Sequence, residues 1–361
     1  MTDLPAIARK RLWQHRGGRR LRSVADALRA RLGGAARDAG HPAFAIPLPG
    51  PARIENVVLH GRDGWLFLWT GTNDVHQLYT TPHAFGTDAA DGWVALLGAR
   101  RRRFEAMGAQ YRHLIAPDKL SIFPEHVPAA MPYFGRHPAL QLARRLQGDP
   151  ILVDVLEPLR GSLATVAARR QAALEGDVPD TGEPLLYYRT DSHWTFEGAL
   201  VAFRALCASL GVTPPPLEER GHRGVRPMAF DLGRKLDPQV TELPRFPRLL
   251  RDAARIAANA QAEDNDRGVL PLKLVGTHVA FRNDSPAADP RRVVLFGDSF
   301  SEYRPVGLTG MLAETFREVH FVWSTNCDTG FIDALRPDIV VTEIAERFMT
   351  RLPGDDYTVP A

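Results

Sequence analysis

The chain has 361 residues, 44% of them apolar and 24% charged, with a formal net charge of +3; a disordered chain is excluded and a sizeable core is available. No run approaches the ~20 apolar residues that a membrane-spanning helix needs. The two cysteines, Cys207 and Cys327, belong to no Cys-x-x-Cys or Cys/His cluster, so they read as buried free thiols and not as a disulfide or zinc site.

Charge is concentrated at the start, where ten Arg and Lys residues fall between Arg9 and Arg37. This basic arm reads as a solvated amphipathic helix, with contact to an anionic surface as the functional alternative. It lacks interleaved aromatics, so no nucleic-acid partner is expected. It also lacks the apolar core of about 7–15 residues that a secretory signal carries, which places the chain as written in the cytoplasm. Ile46-Pro47-Leu48-Pro49-Gly50-Pro51 resists helix and strand alike and reads as a linker. The expected division is an arm and Pro-rich linker over 1–50 and a domain over 51–361.

Within that domain, strand-like and helix-like stretches alternate. Trp65 to Leu68 reads as a strand entered through a turn at Asp63-Gly64. Helical periodicity runs from about Asp91 to Met107, followed by a strand at His113 to Ala116 that Pro117 closes. Ile151 to Val153 is the next strand, then a helix through about Ala173. Leu185 to Tyr188 is a short strand leading into Asp191. Thr195 is a natural N-cap for a helix through about Leu210, with Glu197 favourable near its positive end. Residues 212–290, with Pro214-Pro215-Pro216 and a polar run at 262–268, read as an insertion of loops or a small β-subdomain. Val293 to Phe296 and Val319 to Trp323 are further strands, and Ile339 to Val341 closes the set before a helix near Ala345. Such alternation predicts an α/β layer fold around a mainly parallel sheet.

Two segments carry chemistry. Gly297-Asp298-Ser299-Phe300 follows an apolar run with the look of a buried parallel strand. That puts Ser299 at the carboxyl edge of the sheet, where ligands bind in open α/β folds. It would stand at the mouth of a following helix, with its own N–H facing a developing oxyanion. About a hundred residues upstream stands Asp191-Ser192-His193-Trp194. Residues i and i+2 of an extended segment share a side, so Asp191 can orient His193, leaving its other nitrogen to take a proton from a serine hydroxyl. Asp298 reads as a brace of the nucleophile turn, and Trp194 as packing beneath the His193 loop or as a platform for a sugar ring. Lys119, Tyr303 and Arg304 are further candidate substrate contacts. Asn283 is a candidate second oxyanion donor beside the Ser299 N–H. Glu346-Arg347 reads as a structural pair. No set of metal ligands is expected, since Asp191-x-His193 has no second ligand cluster to join.

Four segments in order resemble the SGNH-hydrolase-like domain of the alginate O-acetyltransferase group, the AlgX/AlgJ-type proteins. They are Gly61-Arg62-Asp63-Gly64-Trp65-Leu66-Phe67; Ala116-Pro117-Asp118-Lys119 through Ile122-Phe123-Pro124-Glu125; Thr190-Asp191-Ser192-His193-Trp194-Thr195 through Gly198-Ala199; and Phe296-Gly297-Asp298-Ser299-Phe300. A closing segment, Arg336-Pro337-Asp338-Ile339-Val340-Val341 with Glu346-Arg347-Phe348, fits as well. The resemblance implies a three-layer SGNH fold with circularly permuted motif order, the Asp/His pair preceding the serine. It implies Ser299 as nucleophile, His193 as base and Asp191 as its orienting acid. The implied activity is transfer of acetyl groups onto hydroxyls of an exopolysaccharide or other glycan. No bound cofactor is implied, only an acetyl donor, with an acyl-donor protein of the assembly as a further partner and the periplasm as the family's usual location. An esterase using the same residues and a non-catalytic glycan-binding protein are the alternatives.

Overall fold

A computed structural model describes residues 53–71, 73–81, 84–128, 136–163, 186–217, 222–223, 226–244 and 246–360. The basic arm and the proline-rich linker lie outside the described residues. So does the second half of the helix expected to reach Ala173, of which residues 156–163 are described as helical.

β1 (Arg53–Glu55), β2 (Val58–His60) and β3 (Leu66–Leu68) form an antiparallel meander of their own. The Trp65–Leu68 strand therefore does not join the central sheet. That sheet takes β4 (Gln110–Ala116), β5 (Leu152–Val153), β8 (Ala253–Ala258), β9 (His278–Asn283), β10 (Asp289–Gly297), β11 (Phe316–Trp323) and β12 (Ile339–Ala345) in the order β5-β4-β12-β10-β11-β9-β8. The first five strands in that order are parallel, and β9 and β8 run antiparallel at one edge. The small pair β6 (His222–Arg223) and β7 (Phe246–Pro247) stands apart.

Val293 to Phe296 and Ile339 to Ala345 are buried throughout, as expected of strands covered on both faces. Side-chain alternation identifies the covers. Arg112 of β4 donates to the Ser209 carbonyl in the helix Phe196–Leu210. Its neighbours Tyr111 and His113 point the other way, against Phe104 and Trp93 of the helix Thr87–Ala106. His113, Thr342 and Phe296 stand in register across β4, β12 and β10. Phe296 meets Phe331 of the helix Thr329–Leu335, so that helix shares the face of Thr87–Ala106. The result is helix, sheet, helix: three layers around a mainly parallel sheet.

Local signals explain the elements that carry the site. Thr195 caps the helix Phe196–Leu210 by accepting from the Gly198 N–H at 3.3 Å. Gly198 is required there, because a Cβ would fall 2.1 Å from the Leu186 carbonyl oxygen. The expected helix near Ala345 is a single 3-10 turn, Glu346–Phe348. The stretch read as an insertion divides in two: β8 and β9 complete the edge of the central sheet, while residues 228–242 fold against the Asp191–His193 loop. No described helix is long and apolar enough to cross a membrane.

Candidate active site

β4, β12 and β10 are neighbours and parallel, so the residues just past their ends meet at one edge of the sheet: Asp118 after β4, Arg347 after β12, Ser299 after β10. The half-buried Ser299 sits in a tight turn built around Asp298. One Asp298 oxygen accepts from the Phe300 N–H at 3.0 Å and the other from the Ala345 N–H at 2.7 Å. Buried Glu343 accepts from the Asp298 N–H and the Ser301 hydroxyl. Gly297 cannot carry a side chain, since a Cβ would lie 2.8 Å from both Glu343 Oε2 and Ser301 Oγ. No long helix follows directly. The turn ends at Glu302, in left-handed conformation (φ 58°), and the next helix starts only at Leu308. The expected helix mouth behind Ser299 is thus replaced by one hydrogen-bonded turn. Among the described residues no acceptor takes the Ser299 N–H.

The Asp191–His193 loop reaches this turn from the other side. It is a hairpin closed by the Tyr187–Trp194 bridge and by the Thr195 N–H donating to the Leu186 carbonyl. His193 Nε2 lies 2.7 Å from Ser299 Oγ, and Nδ1 lies 2.6 Å from Asp191 Oδ1, which also accepts from the His193 N–H at 3.0 Å. The expected extended segment is not formed: residues 189–193 bend through the hairpin loop, and the Asp191 side chain turns back onto the His193 N–H and ring, so that Asp191, His193 and Ser299 form one hydrogen-bonded chain. Burial pushes the Asp191 carboxyl up, but the charge and hydrogen bond of the His193 ring outweigh it and hold Asp191 below the usual range. Burial likewise pulls the His193 imidazole down, while Asp191 raises it by more; Arg347 works against Asp191, and the net shift is upward.

Several contacts fix the loop. Lys119 Nζ donates to the carbonyls of Tyr188 and Arg189, packed over Trp65 and Phe67. The Glu242 carboxylate accepts from the N–H groups of Arg189 and Thr190 and from the Thr190 hydroxyl. Asp231 accepts from the Ser192 N–H and hydroxyl at 2.7 and 2.5 Å. Asp191, His193 and Asp231 also form the one group among the described residues close enough to share a metal ion. Their facing atoms, however, are engaged with one another and with Ser192.

Of the remaining sequence candidates, Lys119, Tyr303 and Asn283 need correction, Trp194 takes the packing role expected of it, and Arg304 stays exposed beside the nucleophile turn. Lys119 is 3% exposed and acts as a strut; burial pulls its ammonium down to about 7. Trp194 is a packing residue: its Nε1–H donates to the Phe300 carbonyl and its ring stands edge-on to Phe300. Tyr303 is buried with its hydroxyl donating to Asp266. Arg304 lies over the Tyr303 ring and pairs with Glu302. Asn283 is far from the site. β9 is antiparallel to β11, so its carboxyl end lies at the opposite edge of the sheet, where Asn283 donates to the Ala313 and Glu314 carbonyls. Asn283→Ala should leave turnover unchanged yet lower the unfolding free energy by about 1–3 kcal/mol, because buried partners lose their hydrogen bonds. Ester hydrolysis and urea unfolding, measured together, check this; a loss confined to turnover would return Asn283 to the site.

The residue that sequence reasoning missed is Arg347. It is 4% exposed. Its Nη1 donates to Asp118 Oδ1 at 3.1 Å, its Nη2 lies 3.4 Å from His193 Nε2, and its guanidinium covers the Phe300 ring. Burial pushes the Asp118 carboxyl up to about 7, with Arg347 opposing. The clue in the sequence was position, since Arg347 follows a strand of the sheet as Ser299 does. Its neighbour Glu346 is the structural half of the pair, buried against His137, Ser121 and Tyr79.

Comparison with known proteins agrees with this architecture. Residues 58–235 match the family model described as an SGNH hydrolase-like domain, acetyltransferase AlgX; the match includes Asp191 and His193 and ends before Ser299. A probable alginate O-acetylase AlgJ of Pseudomonas fluorescens is 28% identical over 160 residues, 44% of this chain and 34% of that protein. The chain thus spans about a third of the length of that curated relative. The O-acetyltransferase domain of Pseudomonas putida AlgJ superposes with a TM-score of 0.50 at 18% identity, over 82% of this chain and 94% of that one. A DHHW family protein from Eubacterium siraeum gives 0.53 at 14% identity, over 85% and 96%. Both share the fold.

Proposed function

We propose that this chain, whose residues 58–235 belong to the AlgX-type family of SGNH hydrolase-like acetyltransferases, moves an acetyl group onto hydroxyls of a glycan through an acyl-enzyme on Ser299. The observation that carries the reading is the unbroken hydrogen-bonded chain from Asp191 through His193 to Ser299. Nδ1–H bonded to the carboxylate leaves the Nε2 lone pair facing the serine hydroxyl, the tautomer that a general base needs. His193 takes the proton as Ser299 Oγ attacks the acyl carbonyl, and the Ser299 N–H meets the carbonyl oxygen as it becomes negative. His193 then protonates the departing oxygen. A glycan hydroxyl enters, gives its proton to the same nitrogen and takes the acetyl group. The acetyl donor, an acyl-donor protein included, and the glycan are parts of this proposal.

The test is incubation with 4-nitrophenyl acetate, with and without oligosaccharide acceptors, alongside Ser299→Ala. Acetylated oligosaccharide formed only by the parent protein supports the transferase. Acetate release indifferent to every acceptor would make the protein an esterase. No serine-dependent turnover would leave a glycan-binding protein.

A pH dependence follows. Only the neutral imidazole can take the proton, and His193 is raised above its ordinary value of 6.5. kcat/KM should therefore climb with pH and reach half its plateau above that value. A midpoint below it would mean that Asp191 does not bear on the ring.

A further inference from the structure

We propose that Arg347 is a catalytic residue, its Nη2–H group being the charged donor that holds the acyl oxygen as it turns negative, in partnership with the Ser299 N–H. The inference rests on the acyl-transfer reading above and fills the place that Asn283 leaves open.

The first support is position. Nη2 and Ser299 Oγ both point at His193 Nε2, at 3.4 and 2.7 Å, so the guanidinium borders the space in which a bound acyl carbon would lie. The second is immobilisation. Asp118 holds Nη1, and the rings of Phe300 and Phe348 lie beside the guanidinium at 5.1 and 5.8 Å from their centroids. A donor fixed in advance needs no reorganisation when charge develops. The third is an unfinished hydrogen bond. Among the described residues, Nη2 has no acceptor other than Nε2, whose single lone pair also faces the serine hydroxyl. When the serine proton moves to Nε2, that lone pair is gone and two cations face each other. Nη2–H is released from the ring at the step that creates a new anion nearby.

The electrons balance without any further reactant. The Oγ–C bond forms, the carbonyl π pair moves to oxygen, and the Oγ proton passes to Nε2. On collapse the pair returns, the bond to the leaving oxygen breaks, and Nε2 hands its proton to that oxygen. In the tetrahedral state the oxyanion borders both the imidazolium and the guanidinium and offsets the repulsion between these two cations, with Asp191 behind the first and Asp118 behind the second.

A purely structural strut between the ends of β4 and β12 would affect stability alone, so the test reads kcat, KM and pH dependence apart. Hydrolysis of 4-nitrophenyl acetate is compared for the parent, Arg347→Gln and Arg347→Lys, with thermal unfolding alongside. The expected result for Arg347→Gln is a fall in kcat of about 10²–10³-fold, the range seen when one oxyanion donor is removed, with KM little changed. The acid limb should also move to higher pH. The charged groups facing His193 besides Arg347 are Asp191 on its own loop, Asp231 behind it, Asp118 after β4, and Asp298 and Glu302 of the nucleophile turn. Lys119 lies behind the loop on the Tyr188 and Arg189 carbonyls; the Arg347 charge holds the ring down, so its loss raises the ring. Arg347→Lys, which keeps the charge without the planar fork, should hold the limb and recover part of the rate; it also serves if the glutamine variant does not fold. Phosphonylation of Ser299 by a fluorophosphonate should slow in parallel. Parent-like kcat and pH limb in the glutamine variant would overturn the inference while leaving the acyl-transfer reading intact. A parent protein with neither serine-dependent turnover nor labelling at Ser299 would overturn that reading, and the inference with it.

Discussion

Ser299→Ala is expected to lower acetyl-ester turnover by about 10⁶-fold, the scale on which serine triads lose kcat when the nucleophile is removed. Among the described residues, the neighbouring hydroxyls cannot stand in. Ser192 gives its proton to Asp231 at 2.5 Å, and Ser301 gives its own to buried Glu343 at 2.8 Å. Neither lies in front of Nε2. The backbone of the turn should survive, because it is held by Asp298, Glu343 and main-chain bonds and not by the Ser299 side chain. Circular dichroism and thermal unfolding should thus match the parent while intact-mass analysis finds no acetyl adduct. A variant that keeps a tenth or more of the parent rate would show that the chemistry runs elsewhere.

Asp191→Asn is the second large effect, about 10⁴-fold in kcat, the cost recorded for the same change in another serine triad. Asp191 Oδ1 accepts from both the His193 N–H and the ring Nδ1. An asparagine whose oxygen takes that place keeps both bonds but brings no negative charge to the imidazolium, while Lys119, Glu242 and Asp231 still hold the loop in shape. An amide nitrogen turned toward Nδ1, however, forces the ring proton onto Nε2, where it faces the serine hydroxyl and removes the base. Asp191 is also what raises His193, so the acid limb of the residual activity should fall to lower pH. The readout is kcat/KM against pH with unfolding measured in parallel. A rate within tenfold of the parent, or a limb that stays in place, would mean that Asp191 only shapes the loop.

The parts of the site legible in the sequence were those carried by local geometry. The run Val293 to Phe296 ending in Gly297-Asp298-Ser299 specified a buried strand and a sharp turn at its end. Asp191-x-His193 specified an acid and a histidine close enough to pair, although a bent loop and not an extended segment joins them. Thr195 announced its helix, and the apolar runs of β4, β11 and β12 announced a parallel sheet. In each case the cause lies within a few residues, in backbone sterics, pleat or capping.

The errors fell where the cause is remote. Asn283 ends β9 as Gly297 ends β10, but the direction of β9 in the sheet sends it to the far edge. Lys119 and Tyr303 look like surface contacts until Trp65, Phe67 and Asp266 close over them from distant parts of the chain. Asp231 and Glu242 belong to a stretch that reads as an insertion, yet they supply the acceptors that hold the Asp191–His193 loop.

By itself, then, the sequence determined the parallel strands of the central sheet, the sharp turn at Ser299 and the Asp/His pair, though not the edge strands β8 and β9, because φ/ψ preference and short-range hydrogen bonding act over a few residues. Strand order and direction were decided by the tertiary structure alone, and with them the meeting of Asp118, Arg347 and Ser299 at one edge. Which carboxylates and cations face His193 depends on elements as far as 154 residues along the chain, and a charge acts through distance in space, not along the chain.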